Sequence, residues 1–185
     1  DENQIELDLA RVFSAPVISE VLPEAGSLRS HANQLKTPYL VYESGEAMRF
    51  DESSIRIGLK GIKNILRYLE MLPSKEKPLV ETHQPLVTRD TRWIHSPTSG
   101  ISYSHIKLGQ QVKKGDLLAT IKDPFGTGYD TNIKASFNGV VVSQNNLPLV
   151  SEGTALIELA SYERLAQAVT QIEDWIDDVE KSAEH

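Results

Sequence analysis

The chain contains no cysteine, which excludes a disulfide scaffold, a thiolate zinc site and a cysteine nucleophile. Basic residues are in deficit: 19 Lys and Arg stand against 26 Asp and Glu, a net charge of −7. A dedicated nucleic-acid binder would show a basic patch or stripe instead. No apolar run approaches the roughly 20 residues of a membrane span, and no signal peptide opens the chain. The expectation is therefore a soluble, cytoplasmic protein that binds neither nucleic acid nor membrane. With 185 residues, 39% of them hydrophobic, there is material for one sizeable domain or two small ones. The first residue is Asp1 rather than Met, which suggests a piece of something longer.

The first block, residues 5–72, reads as strand–helix–strand–helix. Val12-Phe13-Ser14-Ala15-Pro16-Val17-Ile18 has strand character, with Pro16 marking an edge or bulge. Ser27 is a good N-cap for a short helix carrying Leu28, His31 or Ala32, and Leu35 on one face. After Thr37-Pro38, Tyr39-Leu40-Val41-Tyr42 reads as a second strand. Asp51 can cap a long helix over residues 52–72, in which Ile55, Leu59, Ile62, Leu66 and Leu69 step by four and three. This is α/β grammar, a sheet covered by helices. Two strands cannot cover that apolar face, because a two-stranded ribbon is marginal by itself. More sheet must come from elsewhere, most simply from sequence upstream of Asp1.

Pro73-Ser74-Lys75-Glu76-Lys77-Pro78 is a polar, proline-bracketed linker. The second block, residues 79–160, is a series of short β-like runs carrying an internal repeat. Gly100-Ile101 recurs as Gly139-Val140, 39 residues on. The pattern Val112-x-x-Gly115-Asp116-x-Leu118-x-x-Ile121 recurs 38 residues on as Val150-x-x-Gly153-Thr154-x-Leu156-x-x-Leu159. Two such copies interleaved would close a small quasi-twofold β-sandwich. Residues 161–185 hold seven acids against Arg164 and Lys181, and Leu165, Val169, Ile172, Ile176 and Val179 give a helical seam to residue 182. The expected domains are thus residues 1–72, a linker 73–78, a β-domain 79–160 and an acidic helix 161–185.

Candidate chemistry is sparse. His31, His83, His95, His105 and His185 are scattered, without an H-x-x-E or a close pair, and zinc needs three or four converging donors. Gly126-Thr127-Gly128 lacks the helix and lysine of a phosphate loop and reads as a hairpin. No G-x-S-x-G elbow or Ser-His-Asp grouping occurs. Glu43 stands out because it follows a strand and precedes Ser44-Gly45. The C-terminal edge of an open α/β sheet is where ligands bind. A carboxylate there, partly desolvated by Tyr39 and Tyr42, would suit a general base or acid. A surface glutamate capping a turn has the same local sequence.

Several segments together resemble the C-terminal half of the succinylglutamate desuccinylase/aspartoacylase family. They are Phe13-Ser14-Ala15-Pro16-Val17, Gly26-Ser27-Leu28-Arg29, Tyr42-Glu43-Ser44-Gly45-Glu46-Ala47-Met48-Arg49-Phe50-Asp51 and Gly61-Ile62-x-Asn64-Ile65-Leu66-Arg67. Pro97-Thr98-Ser99-Gly100, Leu108-Gly109-x-x-Val112-x-x-Gly115-Asp116, Asp123-Pro124-Phe125-Gly126 and Pro148-Leu149-Val150-x-Glu152-Gly153 continue the set to about Leu159. The resemblance implies a zinc-dependent deacylase. Its fold would be a partial carboxypeptidase-like α/β unit followed by a small all-β barrel-sandwich (lipoyl/biotinyl-like) domain and a C-terminal helix. It gives Glu43 the role of general base, then proton donor to the leaving amine. It makes Arg29, and more weakly Arg49, candidates for holding a substrate carboxylate. The family's zinc ligands, an H-x-x-E pair and a later histidine, lie in the N-terminal half. They are absent here, so this chain alone should be inactive and its missing partner is that half of the same protein. Ala155 falls near the place of aspartoacylase's substrate-facing tyrosine, which argues against N-acetylaspartate.

The expected function is thus part of an amidohydrolase acting on an N-acyl amino acid or similar small amide. The alternative is a non-catalytic lipoyl/biotinyl-like binding or assembly module. In carrier domains a lysine sits on the central hairpin tip, whereas here the tip reads Lys122-Asp123-Pro124-Phe125-Gly126, with Lys122 still in the strand. In a third arrangement the β-domain shapes the enzyme's mouth or assembles a homo-oligomer, the acidic helix supplying a contact.

Overall fold

The computed structural model describes residues 2–73 and 85–161. They fall into two compact units, which divide between Val87 and Thr88. Most of the expected linker, and the expected acidic helix beyond Ser161, lie outside the described residues. Among the described residues no helix is long and apolar enough to cross a membrane.

The first unit opens with a helix where a strand was expected. Helix α1 (Glu2–Phe13) absorbs Val12 and Phe13, and the strand β1 is only Val17–Ser19. Ile5, Leu9 and Phe13 recur at the helical spacing of four, which outweighs the short Val-Phe run. Ser14 ends the helix at φ 67, and Pro16 two residues on cannot continue it. The Leu86 N–H, at the start of β2 (Leu86–Thr88), donates to Pro16 O at 2.9 Å, and β1 and β2 form a two-stranded ribbon.

Helix α2 (Leu28–Gln34) starts as expected. Ser27 is its N-cap, with Oγ accepting from Ser30 N at 3.1 Å. None of its residues is buried, and Leu28 is 86% exposed. Tyr39-Leu40-Val41-Tyr42 is not a strand in the structure. A strand exists only through its ladder, and nothing among the described residues pairs with this segment.

Helix α3 (Glu52–Tyr68) has the expected cap, Asp51, whose carboxylate accepts from Ser54 N at 3.0 Å. It ends before residue 72 because Glu70 turns to φ 58. Its buried side is not the aliphatic stripe, which the two strands were not expected to cover. Gly58, Gly61 and Asn64 are inside, whereas Ile55, Leu59, Ile62 and Leu69 are between 41% and 54% exposed. The inner side is chosen by close approach. A Cβ on Gly61 would lie 2.5 Å from the Phe13 ring, and one on Gly58 would lie 3.1 Å from the Tyr42 ring. Phe13 and Tyr42 in turn contact each other, with centroids 5.1 Å apart. The aliphatic stripe is left uncovered.

The described residues of the second unit are all β. Strands β3 (Thr91–His95), β10 (Ala155–Ser161), β8 (Gly139–Gln144) and β5 (Gln111–Val112) form one antiparallel sheet in that order. Strands β7 (Thr131–Lys134), β6 (Leu117–Lys122), β4 (Gly100–Ser104) and β9 (Leu149–Val150) form the other. Moving each strand four places along the chain maps β3, β4, β5 and β6 onto β7, β8, β9 and β10. The same exchange turns one sheet order into the other, so the sequence repeat is an interleaved quasi-twofold pair. Leu118 and Ile121 from one copy, and Leu156 and Leu159 from the other, meet in one core shared by both sheets. The repeated glycines mark where backbones come close. A Cβ on Gly100 would meet Lys122 O at 2.5 Å, and one on Gly139 would meet Ala160 O at 2.6 Å.

Candidate functional site

Glu43 lies in the segment between α2 and α3, and it is exposed. The partial desolvation expected from Tyr39 and Tyr42 is not seen in this unit, where Tyr42 instead turns its ring to Phe13 and Gly58. Its neighbours are tied down. Tyr42 Oη donates to Ser54 O at 3.0 Å, and Ser44 Oγ donates to Ser54 Oγ at 2.7 Å. Gly45 then turns the chain at φ +83, against Asp51 and Ser54; that backbone conformation favours glycine. The result is a carboxylate presented beside the first turn of α3 by a segment bonded on both sides of it.

The two candidate arginines are not joined to it. Arg29 is in α2 and half-buried, and Arg49 pairs with Glu46 at 3.3 Å on the surface. No hydrogen bond or ion pair among the described residues links either arginine to Glu43. Sequence reasoning quoted Ser44 beside Glu43 without giving it a role, and did not name Ser54. The one signal for Ser54 was Asp51-x-x-Ser54, an N-cap and the residue whose N–H it accepts.

Metal binding can be tested on the donors present. His31 is on α2, His95 ends β3, and His105 Nε2 lies 2.9 Å from Thr120 Oγ1. Thr120 Oγ1 donates to Asn132 Oδ1, so it accepts from His105, whose Nε2 carries the proton. Among the described residues no three His, Asp or Glu side chains converge as a metal site needs. The donors described here do not fit a zinc ion.

The β6–β7 connection is a hairpin, as expected, and one carboxylate gathers its turn. The Asp123 carboxylate accepts from Phe125 N at 2.9 Å, Thr127 N at 2.8 Å, Thr127 Oγ1 at 2.7 Å and Gly128 N at 2.8 Å. These bonds, that from Phe125 N–H foremost and then the Thr127 hydroxyl, pull its pKa down to about 2. The loop presents Phe125 and Tyr129 at 85% and 97% exposure. Lys122 remains in β6, 3.6 Å from Asp130 and over the Tyr103 ring. No lysine stands on the tip itself.

No protein-family model matches the sequence, and no curated protein matches it. The fold does have solved counterparts. The ectoine utilization protein EutE (DoeB) from Ruegeria pomeroyi superposes with a TM-score of 0.76 at 21% identity, over 86% of this chain and 51% of its own. A succinylglutamate desuccinylase/aspartoacylase from Rhodobacter sphaeroides gives 0.75 at 18% identity, over 89% and 51%. The chain has the succinylglutamate desuccinylase/aspartoacylase fold. An aspartoacylase family protein from Mesorhizobium loti agrees, at 0.69 and 17% identity, over 89% of this chain and 49% of its own. The chain thus spans about half the length of each of these three structures, consistent with the C-terminal half that the motifs imply.

Proposed function

We propose that this chain is the C-terminal portion of a zinc-dependent deacylase that hydrolyses an N-acyl amino acid or similar small amide, with Glu43 as its general base. The observation that carries the reading is the half-length match to desuccinylase/aspartoacylase structures. The open stripe Ile55, Leu59, Ile62 and Leu69 supports it, since an N-terminal half supplying the remaining sheet would cover that stripe and pair with Tyr39-Leu40-Val41-Tyr42. The zinc ligands belong to that half. The second unit is read as a barrel-sandwich of the lipoyl/biotinyl kind without its carrier lysine, and the protein as cytoplasmic.

The chemistry assigned to this chain is proton handling. The Glu43 carboxylate accepts a proton from the attacking water as its oxygen bonds to the acyl carbon. It then returns that proton to the amine nitrogen as the C–N bond breaks, leaving a carboxylic acid and a free amine. Arg29 and Arg49 are the groups of this chain that can hold the substrate's carboxylate.

The test is the protein expressed from its full reading frame. Metal analysis should find about one zinc per chain, and a panel of N-acetyl and N-succinyl amino acids should include a substrate. Glu43→Gln should lower turnover by about 10²–10⁴-fold, the typical worth of general acid–base catalysis. Near-normal turnover in that variant rejects the role.

A further inference from the structure

We propose that Ser54 is the positioning residue for Glu43, holding the carboxylate-bearing segment on α3 through the residues on both sides of it. The proposal rests on the reading of Glu43 as general base, and it names a residue that the family motifs quoted above do not include.

The argument is geometric. Tyr42 and Ser44 are two residues apart, and both reach Ser54: Tyr42 Oη bonds to its carbonyl at 3.0 Å and Ser44 Oγ to its hydroxyl at 2.7 Å. Side chains at i and i+2 of an extended segment share a face, and the one between them points the other way. Tyr42 and Ser44 both reach α3, and Glu43 between them is exposed. Ser54 itself cannot drift, because its N–H is held by Asp51 Oδ1 at 3.0 Å. Gly45 also packs against it, where a Cβ would lie 3.7 Å from both Ser54 Cβ and Ser54 Oγ. One residue thus gathers the segment on either side of the base and the cap of the helix behind it: its carbonyl takes Tyr42, its N–H goes to Asp51, and its hydroxyl, the one part a substitution to alanine removes, takes Ser44. A base must be held at hydrogen-bond reach of the proton it takes, and small misplacements are costly. Nothing else among the described residues bonds both neighbours of Glu43.

The experiment compares Ser54→Ala with Ser54→Thr in the full-length protein, with two readouts. The first is amide hydrogen exchange. In Ser54→Ala, exchange over residues 39–45 should rise about three- to tenfold, the worth of one lost hydrogen bond. Exchange over residues 60–68 should stay as in the parent, and Ser54→Thr should restore residues 39–45. The second is steady-state hydrolysis of the panel's substrate, where kcat should fall about three- to tenfold in Ser54→Ala at unchanged KM. Ser44→Ala should add nothing further to it. Unchanged exchange over residues 39–45 overturns the proposal, as does a uniform rise along α3, which marks general destabilisation. Parent-like kcat in Ser54→Ala beside an inactive Glu43→Gln also overturns it. If Glu43→Gln is itself active, or no panel member turns over, the deacylase reading is what fails, and the exchange data alone decide whether Ser54 holds the segment.

Discussion

The two units of this chain treat their apolar residues in opposite ways. Among the described residues sixteen hydrophobic side chains are buried; two, Phe13 and Ile18, are in the first unit, and fourteen are in the second. Both regions show clear hydrophobic periodicity in the sequence. In the second, the repeat supplies its own partner, so each inward-facing strand residue finds a counterpart from the other copy. In the first, the strongest stripe, on α3, stays in solvent while a glycine-lined side packs on Phe13 and Tyr42. Periodicity reports that a face needs cover. It does not report who provides it.

The sharpest way to break this comparison is a matched pair of leucines. Leu118→Ala, in the closed core, should cost about 2–5 kcal/mol, because the lost transfer energy adds to a cavity. Chemical denaturation followed by circular dichroism checks it, and a cost below about 1 kcal/mol would mean the β core is looser than its packing indicates. Gly139→Ala comes next, at about 1–3 kcal/mol. The added methyl would meet the Ala160 carbonyl at 2.6 Å, and backbone yields less readily than a side chain. The same unfolding curve reads it, and a neutral result would show that the quasi-twofold glycines do not set the strand approach.

Leu59→Ala in this 185-residue chain should change stability by no more than about 0.5 kcal/mol, as at other exposed positions. In the full-length protein the same substitution should cost a core-like 2–5 kcal/mol, and equal small effects in both would contradict a covering N-terminal half. The smallest effect is local to the β6–β7 hairpin. The Asp123 pKa is lowered from an ordinary 3.8 to about 2, so its ionised form is favoured by the folded loop. That contribution is complete above the ordinary value and is lost as pH falls through about 2. The amide resonances of Phe125, Thr127 and Gly128 should titrate together in that window. Titration near the ordinary value, or the same transition persisting in Asp123→Asn, would show that the carboxylate does not order the loop.

Much of the second unit was legible in advance because its information is local and repeated. The 38–39-residue repeat anticipated the strand exchange, whereas the close backbone approaches at Gly100 and Gly139 are seen only in the structure. In the first unit the caps were legible for the same reason: Ser27 and Asp51 each bond an N–H three residues on. Helix α1 was missed because Val12-Phe13 has strand character taken alone, while its helical pairing reaches back to Ile5. The segment Tyr39-Leu40-Val41-Tyr42 has a strand's composition, but the described residues build no strand there, since strand structure requires a second chain segment. Of the site, Glu43 was marked by its place after an apolar run, but Ser54 was not. Its role depends on two bonds to residues ten and twelve positions earlier, a spacing with no regular period.

The sequence by itself determined the absence of thiol chemistry, the helix caps, the β-rich repeat and the presence of a carboxylate at Glu43, because each depends on residue identity or on neighbours within a few positions. Tertiary structure alone decided which side of α3 is buried, how the two repeat copies exchange strands, and what grips the segment around Glu43. Those outcomes turn on contacts between residues distant in the chain, where close packing and hydrogen-bond reach select one arrangement among several that the pattern permits.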